Sequence, residues 1–460
     1  MSGTRQKIQS VLALEPKGRG ETPGCGRQGS EPPVAKPTPE NPASVEQLME
    51  EICDRENLEA AWKRVRRNQG GPGVDGMTID DTKIYLCEHW PNIRSRLIDG
   101  TYQPQPVKRV EIPKPDGGIR KLGVPCVVDR LIQQAVLQVL QKRWDPTFSE
   151  HSYGFRPGRS AHQAVAQAQQ YVAEGYNVVV DLDLEKFFDR VNHDSLMARV
   201  AARVADKRVL KLIRAFLTAG VLEDGLVQPV DEGTPQGGPL SPLLSNIVLD
   251  DLDKELTRRG HRFCRYADDC NIYVRSLRAG QRVMASVSRF LTQKLRLKVN
   301  EAKSAVARPE ERKFLGFSIA NDGSERRIAP KALDRFKGKI RDMTRRTRGI
   351  SLAQVIEELT PYLIGWRGYF GFCQTPRVLT NLEAWIRRRL RSYLWRQWQN
   401  GPNRYKELRH RGVTEFKAAV AAGSPTGLWR MSGHPAVHQA LRNHTFDSLG
   451  LPRLYIPAEA

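Results

Sequence analysis

Residues 263–275 read Phe-Cys-Arg-Tyr-Ala-Asp-Asp-Cys-Asn-Ile-Tyr-Val-Arg and set two adjacent carboxylates, Asp268 and Asp269, between two short β-prone runs. Aspartate suits a tight turn. Side-by-side negative charges nevertheless repel unless a cation lies between them. Two readings follow: a solvated turn, or a divalent metal site with hard oxygen ligands of the kind that runs phosphoryl transfer. A second carboxylate pair lies upstream. Residues 178–184 read Val-Val-Val-Asp-Leu-Asp-Leu, an apolar run typical of a buried strand. Its alternation puts Asp181 and Asp183 on one face and Leu182 and Leu184 on the other. Buried strands rarely carry two carboxylates without a partner for them, which favours the metal reading.

The elements around these groups must position them. Phe187-Phe188-Asp189 follows the carboxylate strand directly, then a polar stretch with apolar residues at helical spacing. Residues 106–124 predict a β-hairpin, with Val107, Val110 and Ile112 before the turn Pro115-Asp-Gly-Gly118 and Ile119, Leu122 and Val124 after it. Lys114, Arg120 and Lys121 flank its tip; a basic surface hairpin without a ligand would look the same. Gly233-Thr-Pro-Gln-Gly-Gly-Pro-Leu-Ser-Pro242 is a glycine-rich loop leading into a helix with Leu244, Val248, Leu252 and Leu256 along one stripe. Its glycines would let backbone approach a substrate closely, or serve only the turns. Farther on, helices are predicted near 331–346, 351–370 and 376–398, separated by Arg348-Gly349 and Gln374-Thr-Pro376. The third is strongly basic: Trp385 to Trp398 holds five arginines and no acid, with Ile386, Leu390, Tyr393 and Leu394 as its buried stripe. Arg387, Arg388 and Arg391 are read there as nucleic-acid contacts.

A strand with carboxylates and an aromatic pair, then a separate strand–Asp-Asp–strand hairpin, is the pattern of a polymerase palm. Ordered blocks across roughly residues 60 to 400 resemble the group II intron reverse transcriptases, or maturases. They are Gly71-Pro-Gly-Val-Asp-Gly76, Ile112-Pro-Lys-Pro-Asp-Gly-Gly-Ile-Arg-Lys-Leu122, Ser152-Tyr-Gly-Phe-Arg-Pro-Gly158, Asp183 through Asp189, Gly233 through Pro242, Tyr266-Ala-Asp-Asp269 and Phe314-Leu-Gly-Phe317. The resemblance implies an α+β, right-hand polymerase fold of fingers and palm followed by an α-helical thumb, or X, domain. It implies that Asp183, Asp268 and Asp269 hold two Mg²⁺ ions for nucleotidyl transfer. Asp183 is taken over Asp181 because Phe188 lies five residues after it, the family's spacing between metal ligand and sugar-contact aromatic. Phe188 would crowd the 2′ position of the incoming nucleotide, and Phe187 would pack the core. Arg120 would bind the triphosphate bidentately with Lys114 as its point-charge neighbour. Gln236 would touch nucleotide and template. Lys303 matches a family lysine that would protonate pyrophosphate, although a solvated lysine is equally compatible with its position.

Composition agrees independently. Lys and Arg number 73 against 51 Asp and Glu, a formal charge of +22 and a pI near 9.9, which points to a polyanionic partner. No apolar stretch approaches membrane-spanning length, and the N-terminus lacks a signal peptide's apolar core. The seven cysteines are scattered without a Cys-x-x-Cys pair, so reduced thiols in the bacterial cytosol, near the nucleoid, are expected. The organisation read from the sequence is a disordered extension at 1–43, fingers and palm at 44–325, a thumb at 326–400 and a basic, DNA-binding-like segment at 401–460. Ser44 would cap the first helix, with Leu48, Ile52, Leu58, Trp62 and Val65 as its apolar face. Trp429, His434, His438 and His444 have metal-site residue types, but Pro435 and the lack of any Cys after Cys373 argue against a site. The expected partners are a group II intron RNA, an RNA template with a DNA primer, target DNA and deoxynucleoside triphosphates, with no membrane. A Cys- and His-containing endonuclease domain is not evident, so the target primer would come from elsewhere, such as a nascent strand at a replication fork. Two alternatives stay open: a reverse transcriptase of another system, such as a defence-associated one, and a non-enzymatic splicing factor on a dead polymerase.

Overall fold

The computed structural model describes residues 47–113, 117–223, 226–228, 232–234 and 237–457. The helix expected from Ser44 is two helices, α1 (Leu48–Ile52) and α2 (Arg55–Asn68), and Ser44 itself lies outside the described residues. The break is at Asp54, whose carboxylate accepts the Glu56 N–H and caps α2. α3 (Ile79–Ile98) starts on a reciprocal capping box of Thr78 and Asp81. The expected hairpin is β1 (Val107–Pro113) and β2 (Ile119–Val124), paired antiparallel with Ile112 opposite Arg120. α4 (Val127–Trp144) is buried almost all round, glutamines included, as expected of a central helix rather than a surface one.

α5 (Ala161–Ala173), β3 (Val178–Leu182), α6 (His193–Ala201) and α7 (Lys207–Thr218) follow. β4 (Val221–Glu223) and β5 (Leu226–Gln228) complete a first sheet of order β2-β1-β4-β5. α8 (Ser241–Arg258) leads into β6 (Arg262–Tyr266) and β7 (Asp269–Val274), then α9 (Leu277–Phe290) and β8 (Ala305–Ala307). The carboxylate strands belong to a second sheet of order β6-β7-β3-β8. By its internal contacts the chain divides into two units. One comprises residues up to 160, 181–272 and 281–305, and holds all the carboxylates discussed above; the other comprises 161–180, 273–280 and 306 onward.

The second unit carries β9 (Phe317–Ile319) and β10 (Arg326–Ile328), then the three expected helices as α10 (Pro330–Met343), α11 (Leu352–Phe370) and α12 (Pro376–Gln397). Short helices complete it: α13 (Gly401–His410), α14 (Glu415–Ala422), α15 (Leu428–Met431), α16 (Pro435–Ala440) and α17 (Asn443–Ser448). A single apolar core runs from Ile328 through Trp395 and Trp398 to Phe446 and Leu454. It crosses the boundary expected at 400/401, so thumb and C-terminal segment are packed as one body.

In the first unit, one buried cation organises the turn that presents Asp268. Arg265, in β6, is 0% exposed. Its guanidinium forks onto Asp253 of α8 with contacts of 2.7 Å from Nε and 2.6 Å from Nη2. Nη1 donates to Asn246 Oδ1 and to the Ala267 carbonyl, both at 2.9 Å, and Nη2 to Ser152 Oγ at 2.7 Å. All five guanidinium N–H groups are thereby engaged. The turn itself needs this support. Ala267 has φ +58°, a left-handed conformation that disfavours a residue with a Cβ. Gly154 lies flush against it, since a Cβ there would stand 2.3 Å from the Ala267 nitrogen. Asn246 in turn holds the Gly154 carbonyl at 2.9 Å.

Arg265→Met is therefore expected to destabilise the fold by about 3–5 kcal/mol, because it leaves Asp253 buried and unpaired. The double variant Arg265→Met/Asp253→Leu should recover much of that loss. Urea denaturation of the two variants checks both; equal stability of single variant and wild type would remove Arg265 from this role.

Candidate active site

Asp183 stands just past the end of β3, and its placement comes from backbone pairing with the segment before β8. Its N–H donates to Ser304 Oγ at 3.0 Å, and its carbonyl accepts from Asn300 N at 2.8 Å. Leu184 bridges to Val299, and Glu185 N–H donates to the Lys298 carbonyl at 2.8 Å. Asp181 and Asp183 are half-buried while Leu182 and Leu184 are buried, the alternation expected from the sequence. Asp268 occupies the turn between β6 and β7, and Asp269 opens β7.

Electrostatics tie these groups together. Burial, the largest cause, holds the Asp268 carboxyl above the usual carboxylate range. The charge of Asp183 pushes the same way, while Arg120 and Arg265 pull it down. Asp183 and Arg120 are thus both within electrostatic reach of the turn. Lys303 Nζ lies 3.8 Å from Asp183 Oδ2, with both side chains substantially exposed, so the contact is a weak surface pair. Burial, then Asp253, Asp269 and Asp181, push the Cys270 thiol up, against the pull of Arg265, so this cysteine is an inert core residue rather than a nucleophile.

The donor set fits a hard divalent cation. Among the described residues no group of three or more His, Cys, Asp and Glu forms a ready-made metal cage. The carboxylates form an open set of oxygens, and Mg²⁺ binds characteristically through one or two carboxylates plus substrate phosphates. The raised Asp268 carboxyl beside Asp183 marks negative charge that a cation would relieve.

Phe187 and Phe188 do not continue the strand. A left-handed Lys186, φ +48°, turns the chain into a 3₁₀ turn over Phe187–Asp189. Phe187 is buried and Phe188 half-buried, their rings 5.3 Å apart and edge-on. The two rings are separated by that turn, not by strand alternation. Arg120 is exposed on β2. Lys114 and Gln236 lie outside the described residues.

The arginines expected to meet nucleic acid are corrected by the structure. Arg387 is 5% exposed and pairs with Glu383 at 3.0 Å and Asp447 at 2.8 Å. Arg391, 4% exposed, donates to the Leu441 carbonyl at 2.9 Å and to Asn443 Oδ1 at 3.1 Å, and burial pulls its pKa down to about 10. Arg388 lies half-buried over the Trp429 ring, 4.3 Å from its centroid. These side chains fasten α12 to the C-terminal helices, and Arg387 and Arg391 do not face solvent as phosphate ligands must. The exposed basic row of this unit is Lys331, Arg335 and Lys339, at i, i+4 and i+8 on α10. His434 has a local structural use: its Nδ1 accepts the Ala436 N–H at 3.2 Å and caps α16.

Arg265 and Asp253 escaped the sequence reading. The signal was available, since a cation inside Phe-Cys-Arg-Tyr is as anomalous in a buried strand as the aspartates of β3.

Residues 112–319 match the family model described as reverse transcriptase (RNA-dependent DNA polymerase), and residues 333–412 match that of the group II intron maturase-specific domain. The chain is 32% identical over 301 residues to protein YkfC of Escherichia coli, covering 56% of this chain and 79% of that one. It is 37% identical over 206 residues to the group II intron-encoded protein LtrA of Lactococcus lactis, covering 45% of this chain but only 34% of LtrA. A putative COX1/OXI3 intron 2 protein of Saccharomyces cerevisiae is 31% identical over 216 residues, 46% of this chain and 25% of that one. Among solved structures, apo telomerase from Candida tropicalis has a TM-score of 0.42 at 14% identity, over 79% of this chain and 74% of that one.

The raised Asp268 carboxyl has a consequence for stability. A carboxyl whose folded pKa is raised favours the fold while protonated, and that advantage is lost as pH rises from the ordinary 3.8 through the folded value. In a chelator, Asp268→Asn should therefore melt above wild type at pH 7, with the gap closing below about pH 4. Adding Mg²⁺ should raise the wild-type Tm and leave an Asp183→Asn/Asp268→Asn variant unmoved. Thermal melts at three pH values decide this, and a wild type more stable than Asp268→Asn in chelator at pH 7 would contradict it.

Proposed function

We infer that this protein, which belongs to the family of group II intron reverse transcriptases and maturases, copies RNA into DNA, binds a group II intron RNA, assists its splicing and returns it to DNA as cDNA. The observation that carries the reading is the electrostatic coupling of Asp183, Asp268 and Arg120 within one folded unit. Two carboxylates and a guanidinium act on one another there, a combination that suits nucleotidyl transfer.

Asp183, Asp268 and Asp269 would hold two Mg²⁺ ions, which supply Lewis-acid activation of a primer 3′-hydroxyl and neutralise charge on departing pyrophosphate. The protein's own residues do the rest. Arg120 offers a planar fork to the phosphates, with Lys114 as the point charge beside it. Phe188 blocks the 2′ position by direct contact, a stronger discriminator than a lost hydrogen bond in an apolar pocket. Gln236 meets nucleotide and template. Lys303, already beside Asp183, is placed to hold a proton near the leaving group.

The intron RNA and the template duplex are read through backbone and 2′-hydroxyl contacts, and the exposed row Lys331, Arg335 and Lys339 is the first candidate for phosphate contact. Among the described residues no helix is long and apolar enough to cross a membrane. Target DNA would be engaged by the same unit, which includes the C-terminal helices.

Primer extension on an RNA template with deoxynucleotides and Mg²⁺ tests the enzyme. Asp268→Asn should lower the rate by about 10³-fold or more while RNA affinity holds; near-normal extension would refute the palm assignment. RNA affinity should fall steeply with salt. Changing Lys331, Arg335 and Lys339 together to Gln should flatten the log–log slope by roughly two, whereas Arg387→Gln should leave the slope alone and lower stability. A slope altered only by Arg387→Gln would move the RNA surface elsewhere.

A further inference from the structure

The glycine-rich loop and the Phe188 turn are built onto each other. Thr234 N–H donates to the Phe188 carbonyl at 2.6 Å, and Gly233 N–H to the Val191 carbonyl at 2.8 Å. Asn192 bridges to Glu232. Gly233, at φ +94°, lies so close that a Cβ there would stand 2.8 Å from the Phe188 carbonyl oxygen. Gly237 and Gly238 approach other elements closely: a Cβ on Gly237 would meet the Gly123 carbonyl at 2.6 Å, and one on Gly238 would meet Gln133 Oε1 at 2.3 Å. Gly123 is on β2, three residues after Arg120.

His193 also holds Gly233. It is the first residue of α6 and 2% exposed, and its Nε2 lies 2.6 Å from the Gly233 carbonyl oxygen. A carbonyl only accepts, so Nε2 carries the proton. Nδ1 is buried and has no hydrogen-bond partner. If His193 only filled space, an apolar side chain of similar volume would do so without burying an orphaned nitrogen. What the imidazole adds is one donor, aimed at Gly233.

We propose that His193 is a positioning residue for nucleotide selection: its bond to the Gly233 carbonyl fixes Gly233 and Thr234, which hold the Phe188 backbone, and so sets how closely Phe188 closes on the incoming sugar. The proposal rests on reading Phe188 as the sugar-contact aromatic. His193 touches no substrate; it acts through Gly233, Thr234 and the Phe188 carbonyl.

The test is single-nucleotide incorporation on an RNA template, giving kcat and KM for a deoxynucleotide and its ribonucleotide counterpart opposite the same base. The variants are His193→Leu, His193→Gln, Phe188→Ala and His193→Leu/Phe188→Ala. His193→Leu keeps bulk and removes the donor, and should raise the deoxynucleotide KM and narrow the deoxy-to-ribo ratio of kcat/KM by about tenfold each, with kcat within about threefold. His193→Gln, whose amide nitrogen can reach the Nε2 position, should return the ratio to near wild type. Phe188→Ala should narrow the ratio further, and the double variant should add little to Phe188→Ala, since both changes act on one contact. If Phe188→Ala moves the ratio and His193→Leu leaves it at the wild-type value, this proposal falls and the Phe188 reading stands. If Phe188→Ala leaves the ratio unmoved, the Phe188 reading falls and takes the route through His193 with it. Should His193→Leu fail to fold, His193→Asn, whose amide is too short to reach Gly233, replaces it in the same comparison and is judged by the same ratio.

Discussion

The Arg265–Asp253 pair is the constraint on which the turn of Asp268 depends. A two-residue turn with alanine in a left-handed conformation is unfavourable in isolation, and it must also hold a carboxylate that burial disfavours. The fork of Arg265 compensates by joining α8 through Asp253 and Asn246, the 152–154 segment through Ser152, and the turn through the Ala267 carbonyl. Lysine would not substitute, having three donors on a flexible stem and no planar fork. Burying an ion pair is a poor way to gain stability. Here it gains geometry, because the guanidinium that satisfies Asp253 with two donors uses the other three on Asn246, Ser152 and the Ala267 carbonyl, and so fixes where Asp268 begins.

The carboxylate alternation of β3, the hairpin around Asp268 and the helices α10 to α12 were legible in the sequence because each depends on local periodicity. What was not legible depends on contacts across long stretches of chain. Arg387 finds Asp447 and Arg391 finds Leu441 and Asn443, fifty to sixty residues onward. A pattern that treats arginine as a solvent-facing residue misassigns all such side chains. The same blindness placed a domain boundary at 400/401, since the apolar residues of α13 to α17 are sparse one helix at a time and form a core only when packed on Trp395 and Trp398. The first helix broke at Asp54 for the opposite reason: a local cap overrode an apolar face that spans both pieces.

Arginine thus has two separate uses in a chain with a formal charge of +22. Some are structural, held by carboxylates and rings inside each unit, as with Arg265, Arg387 and Arg391. Others remain on the surface, as on α10. The count of 73 Lys and Arg overstates the cations available to a polyanion, because each buried pair uses one of them. Surface position, not count, identifies the side chains that set salt dependence.

The active site inverts the sign of the surrounding charge. Asp181, Asp183, Asp268 and Asp269 gather in an otherwise basic protein, with Arg120 and Lys303 at their margin. A triphosphate approaching these carboxylates without a cation would meet repulsion at its α-phosphate and attraction only at Arg120. Divalent cations held by the carboxylates would reverse that, with substrate phosphates supplying further oxygen ligands. Each would therefore raise the affinity of the other by the same factor, since coupling between two ligands is reciprocal. An open carboxylate set, a raised Asp268 and a clamped turn are three consequences of one arrangement: the fold holds the carboxylates in rigid position and leaves them open to further ligands.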